Sequence, residues 1–153
     1  MVWKPNVTVA AVIEREGQFL LVEEQTEDGL LFNQPAGHLE EGESLAAGAR
    51  RETLEESGWD FTPETLVGVY RWRRPGSDVT YLRFAFAGKL GALHAERGLD
   101  AGIVRTVWMS PDEIRATRLR QRSPLVARCV EDFLRGKSAP LELLVDFDGT
   151  GTA

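Results

Sequence analysis

Residues 44–58 constrain this chain more than any other segment. Ser44 is a residue type that caps helix N-termini and Gly58 one that stops helices, so Ser44 to Ser57 is expected to be helical. At about 100° per residue, Glu52, Glu55 and Glu56 fall within an arc of about 100°. Glu52 stands at i,i+3 to Glu55 and at i,i+4 to Glu56, and each like-charge pair opposes a bare helix by roughly 0.2–0.5 kcal/mol. Glu55 and Glu56 also lie in the last turn, where the helix dipole disfavours an anion by roughly 0.3–1 kcal/mol. Gly48 inside the segment adds about 1 kcal/mol relative to alanine. Beside the acids runs a strip of small residues, Ala46, Ala49 and Thr53, suited to close packing on a sheet. A helix that local physics disfavours must be held by its surroundings, with its acids along the edge of a core.

Two readings of the acids stand side by side. A run of charge on one helix face is commonly a solvated surface. Alternatively, a hard divalent cation such as Mg²⁺ removes the repulsion, since it prefers oxygen ligands and bridges substrate phosphates. A carboxylate not engaged in ligation could then accept a proton from an attacking water.

The rest of the chain sets the frame. Val7 to Ile13 and Phe19 to Val22 read as strands joined through Glu16-Gly17, an opening hairpin. Glu23 to Gly29 reads as a loop, followed by the short apolar piece Leu30-Leu31-Phe32. Leu66 to Trp72, Thr80 to Ala87 and Val104 to Met109 read as further strands. Ser110-Pro111 opens a short helix, and Pro124 to Leu134 a last one that ends near Gly136. Strands and helices mix without regular βαβ alternation, so an α+β domain spanning 1–153 is expected. The net charge of -6, from 24 acidic and 18 basic residues, argues against a nucleic-acid polymer or a membrane surface as partner. The one cysteine, Cys129, excludes an intrachain disulfide and fits a reducing compartment, the cytoplasm; on the last helix it reads as a buried small hydrophobe.

Spacing decides what the acids alone leave open. From Gly37 the order is Gly, five residues, Glu43, seven residues, then Arg51-Glu52-Thr53-Leu54-Glu55-Glu56-Ser57-Gly58-Trp59. This resembles the Nudix box, with Thr53 standing where the family usually carries an aliphatic residue. The resemblance implies an α/β/α sandwich with a mixed β-sheet and a loop-helix-loop catalytic unit. It implies that Glu52, Glu55 and Glu56 are catalytic and metal-binding residues. The Gly37 carbonyl is implied as a further ligand, with Arg51, Glu43 and Gly58 orienting the helix. Segments that reach beyond the box, Asn33 to Glu40, Leu82-Arg83-Phe84 and Arg122 to Ala127 among them, resemble a bacterial phosphatase branch of the family. That likeness implies Mg²⁺-dependent release of orthophosphate (with Mn²⁺ a substitute) from nucleoside di- and triphosphates. It extends to the thiamine-related diphosphates, hydroxymethylpyrimidine diphosphate and thiamine diphosphate. Alternatives within reach are a pyrophosphohydrolase that releases pyrophosphate, and a non-catalytic nucleotide-binding domain.

Several residues are expected around a small phosphorylated substrate. Arg83 and Arg122 suit phosphate, and Trp72 or Phe32 suits stacking on a flat ring. His38 reads as a polar turn residue near substrate, and His94 as a surface loop residue. Family members often add one acid from the part of the chain that holds Glu96 and Asp100, and the sequence does not separate the two. Asp146-Phe147-Asp148-Gly149-Thr150 mimics the nucleophile motif of haloacid-dehalogenase phosphatases, but the three residues after Thr150 leave such a domain no room, and a tail strand is the plainer reading. The oligomeric state, monomer or homodimer, is left open.

Overall fold

The computed structural model of the protein describes residues 1–147, so Asp148, Gly149 and Thr150 of the tail motif lie outside the described residues. The chain enters on β1 (Asn6–Val12), passes β2 (Glu14–Arg15), β3 (Gln18–Thr26), β4 (Gly29–Asn33) and β5 (Ala36–His38), and reaches α1 (Leu45–Ser57). Two long strands follow, β6 (Trp59–Arg73) and β7 (Thr80–Leu93), then β8 (Ile103–Met109), α2 (Pro111–Ala116), α3 (Leu125–Leu134) and β9 (Ala139–Pro140). The first sheet runs β5-β1-β7-β6-β9 and is mixed, because β1 and β7 are parallel while the other pairs are antiparallel. The second holds β2, β3 and β4 in order, with β8 also paired to β3. The architecture is the α+β, mixed-sheet one that the sequence led us to expect.

The opening hairpin is a correction. β1 and β3 do not pair with each other; β1 lies between β5 and β7. The turn at Glu16-Gly17, both at positive φ, instead joins the short β2 to β3, and the chain changes sheets at Ile13. The expected loop at Glu23 to Gly29 is shorter than read, since β3 runs on to Thr26. The tail run beyond Pro140 forms a 3-10 turn over Leu141–Leu143 rather than a strand, and Leu141 and Leu144 pack on the core.

β1 is buried on both faces from Val9 to Val12, as expected of a central strand covered on two sides. On one face Val9, Ala11, Leu66 and Phe86 pack with Ala49 of α1. On the other, Val12, Ala85, Ala87 and Val67 pack with Phe19, Leu21 and α3. Side chains alternate along strands, so paired residues share a face. His38, Thr8, Arg83 and Tyr70 form one such lateral row, and Tyr81 and Trp72 another two residues on. Both rows lie on the face opposite Val9, and therefore opposite α1.

Candidate active site

α1 is fixed at both ends. The Ser44 hydroxyl accepts from Ala47 N–H, and Gly58, at φ 77°, closes the helix by donating its N–H to Leu54 C=O. Thr53 is fully buried and donates its hydroxyl to the Ala49 carbonyl at 2.7 Å. An aliphatic residue's place is thus filled by a threonine whose polar atom is satisfied within the helix.

Arg51 organises the acids. Its Nε and Nη2 donate to the two oxygens of Glu43 at 2.9 and 2.7 Å, a bidentate fork. Nη2 also donates to the His38 carbonyl at 2.9 Å. Nη1 donates to Glu52 Oε1 at 2.8 Å and to Glu55 Oε2 at 3.1 Å. These bonds hold the Glu43 carboxyl below the usual carboxylate range. Glu52 moves the other way, because burial outweighs its bond from Arg51. Glu56 is pushed up to about 8 by burial, opposed in part by the Ala36 N–H that donates to its Oε1 at 2.8 Å.

Glu52, Glu55 and Asp100 each offer a carboxylate oxygen, and these oxygens lie within 4.8 Å of one another. Asp100 arrives there because its N–H donates to the Glu55 carbonyl at 3.0 Å, which pins the loop to the end of α1. Glu96, the other acid left open by sequence, is 82% exposed along its side chain and faces His94 instead. Gly37 lies directly against Glu52, and a Cβ there would overlap the carboxylate. An all-oxygen donor set of carboxylates suits a hard divalent cation. The raised Glu56 and Glu52 carboxyls are what a buried acid cluster shows when its charge is incompletely balanced.

Through Ala36, Gly37 and His38, this acidic edge adjoins a cavity of about 860 Å³ on the far face of the first sheet. Trp72 and Tyr81 form one wall, stacked at 5.9 Å and 19°, with the His38 ring 6.4 Å from Tyr81. Arg122 and Arg74 stand on the rim, each 3.5 Å from an acid, Glu24 and Asp28 respectively. Arg83 is buried, 5% exposed, yet lines the cavity. Phe32 does not reach it. That ring is 2% exposed in the core, with the Arg120 guanidinium 4.8 Å above it, because β4 turns alternate residues inward. The stacking role expected for Phe32 therefore has no place, and the aromatic partner of Trp72 is Tyr81. Tyr81 was missed by sequence reasoning, although its position two residues before Arg83 in a strand puts both on one face. Asn33 and Gln34, from a segment that carries the family likeness, also come to the cavity or its wall, as does Gln121, which has no sequence signal of its own. His94 bonds Asp60 at 3.0 Å near the surface, and Cys129 is fully buried.

The arrangement sets an oxygen-donor cluster beside a cavity with an aromatic wall and arginines, which fits a phosphorylated molecule carrying a flat group. Comparisons with known proteins agree with this chemistry. The family model described as NUDIX domain matches residues 3–129. Phosphatase NudJ of Escherichia coli (strain K12) is 41% identical over 147 residues, covering 95% of this chain and 94% of the relative. Phosphatase NudJ of Shigella boydii matches to the same extent. The solved structure of a NUDIX hydrolase from Nitrosomonas europaea is 51% identical, covers 96% of this chain and all of its own, and superposes with a TM-score of 0.93.

Proposed function

The chain belongs to the Nudix family and is a hydrolase of that family, and from this premise we propose that it removes orthophosphate from small diphosphate and triphosphate esters with Mg²⁺. The substrate classes are nucleoside di- and triphosphates and the thiamine-related diphosphates, hydroxymethylpyrimidine diphosphate and thiamine diphosphate. The relatives named as phosphatases support orthophosphate as the product. The same reading places the enzyme in the cytoplasm, acting alone or as a homodimer on small molecules.

The observation that carries the proposal is the convergence of Glu52, Glu55 and Asp100 within 4.8 Å, next to Gly37 and the cavity. Glu55, Asp100 and Glu56 would hold the cation, with the Gly37 carbonyl as a further ligand, and Glu52 would stand beside it as the carboxylate left for proton transfer. A divalent cation bound there supplies Lewis-acid polarisation of phosphoryl oxygens and balances the charge that builds on them. Glu52 takes the proton of the water that attacks phosphorus. Arg51 Nη1 occupies its Oε1, which leaves Oε2 without a protein donor among the described residues. Burial outweighs the Arg51 bond and raises the Glu52 carboxyl, which makes it a stronger proton acceptor than a solvated glutamate. Arg51 and Glu43 hold Glu52 and Glu55 in place through the fork described above. Arg122 on the rim and the Trp72–Tyr81 wall receive the phosphate chain and the flat group.

A turnover screen over these diphosphates and triphosphates with Mg²⁺, read by phosphorus NMR, tests the proposal. Orthophosphate as the product from at least one of them is the expected result. Pyrophosphate from a triphosphate would make the enzyme a pyrophosphohydrolase, and no turnover at all would refute catalysis.

A further inference from the structure

Arg83 is a buried cation without a countercharge among the described residues. Of the three arginines that line the cavity, Arg74 and Arg122 each have a carboxylate at 3.5 Å. No carboxylate among the described residues lies within ion-pair distance of Arg83. Its nearest polar neighbours are neutral amides. Nη1 donates to Gln34 Oε1 and Nη2 to Asn33 Oδ1, both at 2.8 Å. The Gln34 amide is itself oriented, since its Nε2 donates to the Val126 carbonyl at 2.8 Å. The remaining contact is the Cys129 sulfur, 3.9 Å from Nη1. Burial pushes that thiol up, so it supplies no negative charge. Asp132, an acid on the same side of the sheet, is engaged by Tyr70, Arg128 and Lys137. A guanidinium has five N–H donors, and three are used here, which leaves two without a protein acceptor among the described residues.

Taking a charge out of water is costly unless an opposite charge meets it. A carboxylate at position 33 or 34 would meet it within the protein, but amides of the same size stand there. They hold the fork in place and leave its charge available to the cavity. Arg83 also sits in the lateral row that leads through Thr8 to His38, next to the acidic edge.

We propose that Arg83 is a built phosphate seat, which grips phosphoryl oxygens of the substrate, and that Asn33 and Gln34 are positioning residues that hold its fork without neutralising it. The identity of the anion rests on the hydrolase reading above. The seat itself does not depend on the metal, and this separates the two tests.

Inorganic pyrophosphate is titrated calorimetrically into the full chain with a chelator present, for wild type, Arg83→Gln and Asn33→Asp. Wild type binds. Asn33→Asp puts a carboxylate where an amide oxygen now lies 2.8 Å from Nη2. It therefore lowers affinity by about 10- to 100-fold, the worth of a hydrogen bond to a charged group. Its melting temperature stays at or above that of wild type, because it gains an ion pair. That combination keeps the test decisive even where Arg83→Gln fails to fold. In turnover with Mg²⁺, Asn33→Asp raises KM by a similar factor and leaves kcat within a few-fold. Equal pyrophosphate affinity in wild type and Asn33→Asp overturns the seat, as does the absence of binding by wild type. Binding that depends on Arg83, in a protein that turns over none of the screened compounds, refutes the hydrolase reading and leaves the seat standing.

Discussion

Replacing Gly37 with alanine isolates one contact on which the site depends. The glycine lies on the edge strand β5, where its backbone meets the Glu52 carboxylate. Its φ is outside the left-handed region, so alanine fits the backbone there without strain. The added Cβ would lie 2.5 Å from Glu52 Oε2 and closer still to the rest of the carboxylate. Ordinary contact begins near 3.4 Å, so the carboxylate must retreat by about 1 Å. Glu52 is nearly buried and tethered to Arg51 at 2.8 Å, so the retreat also breaks or bends that bond. A misplacement of about 1 Å at reacting groups costs on the order of 10²-fold in rate. The fold loses little, because the obstacle is the far end of a side chain, and Gly→Ala at a compatible φ gains about 0.4–1 kcal/mol through the unfolded state. The assay is steady-state phosphate release at saturating Mg²⁺ and substrate, paired with a thermal melt. A kcat within two-fold of wild type would refute the claim that the Gly37–Glu52 contact positions a catalytic group. A fall in kcat matched by unfolding would do the same.

Three further outcomes are expected. In chelator, the melting temperature falls between pH 5 and pH 9. The Glu56 carboxyl, at about 8 when folded against 4.5 when unfolded, gives stability that is complete below the unfolded value and is lost as pH rises through 8. Each tenfold difference in proton affinity between the folded and unfolded chain is worth about 1.4 kcal/mol, and Glu52 adds in the same direction; Glu56→Gln should flatten the dependence, and an unchanged slope contradicts the assignment. Arg51→Lys keeps the charge but loses the fork that spans Glu43, Glu52, Glu55 and the His38 carbonyl, and urea denaturation should show a loss of about 2–3 kcal/mol, against less than about 0.5 if those contacts are solvated ornaments. Trp72→Ala should raise KM about 10-fold for a substrate with a flat ring, since stacking is worth roughly 1–3 kcal/mol per ring, and leave pyrophosphate binding unchanged.

Much of the site was legible because it is local. Gly37, Glu43, Arg51 and the three glutamates lie within one turn-and-helix unit, where spacing along the chain translates directly into spacing in space. Thr53 could be read as a packing residue for the same reason. What depends on distant pairing was not legible. β1 has the alternation of a strand, but nothing in that alternation says its partners are β5 and β7 rather than β3. β6 and β7 are longer than they read because Pro63, Gly88 and Gly91 look like breaks, whereas register shifts in β6 absorb them: Gly88 pairs with Pro63. Asp100 and Glu96 are equivalent as sequence, and only the backbone bond from Asp100 to Glu55 separates them. Phe32 looked like a stacking residue because an aromatic ring suits a flat group, but it lies in a strand and its ring is turned into the core.

At the centre of the mechanism, Glu52 and its acidic partners act with a divalent cation on a phosphoanhydride. The most direct measurement is the rate of orthophosphate release with Mg²⁺ by Glu52→Gln, set against wild type with Mg²⁺ and wild type in chelator. The expected result is a loss of at least about 10²-fold in Glu52→Gln, with its melting temperature retained, and no release by wild type in chelator. Release by Glu52→Gln at the wild-type rate would contradict it.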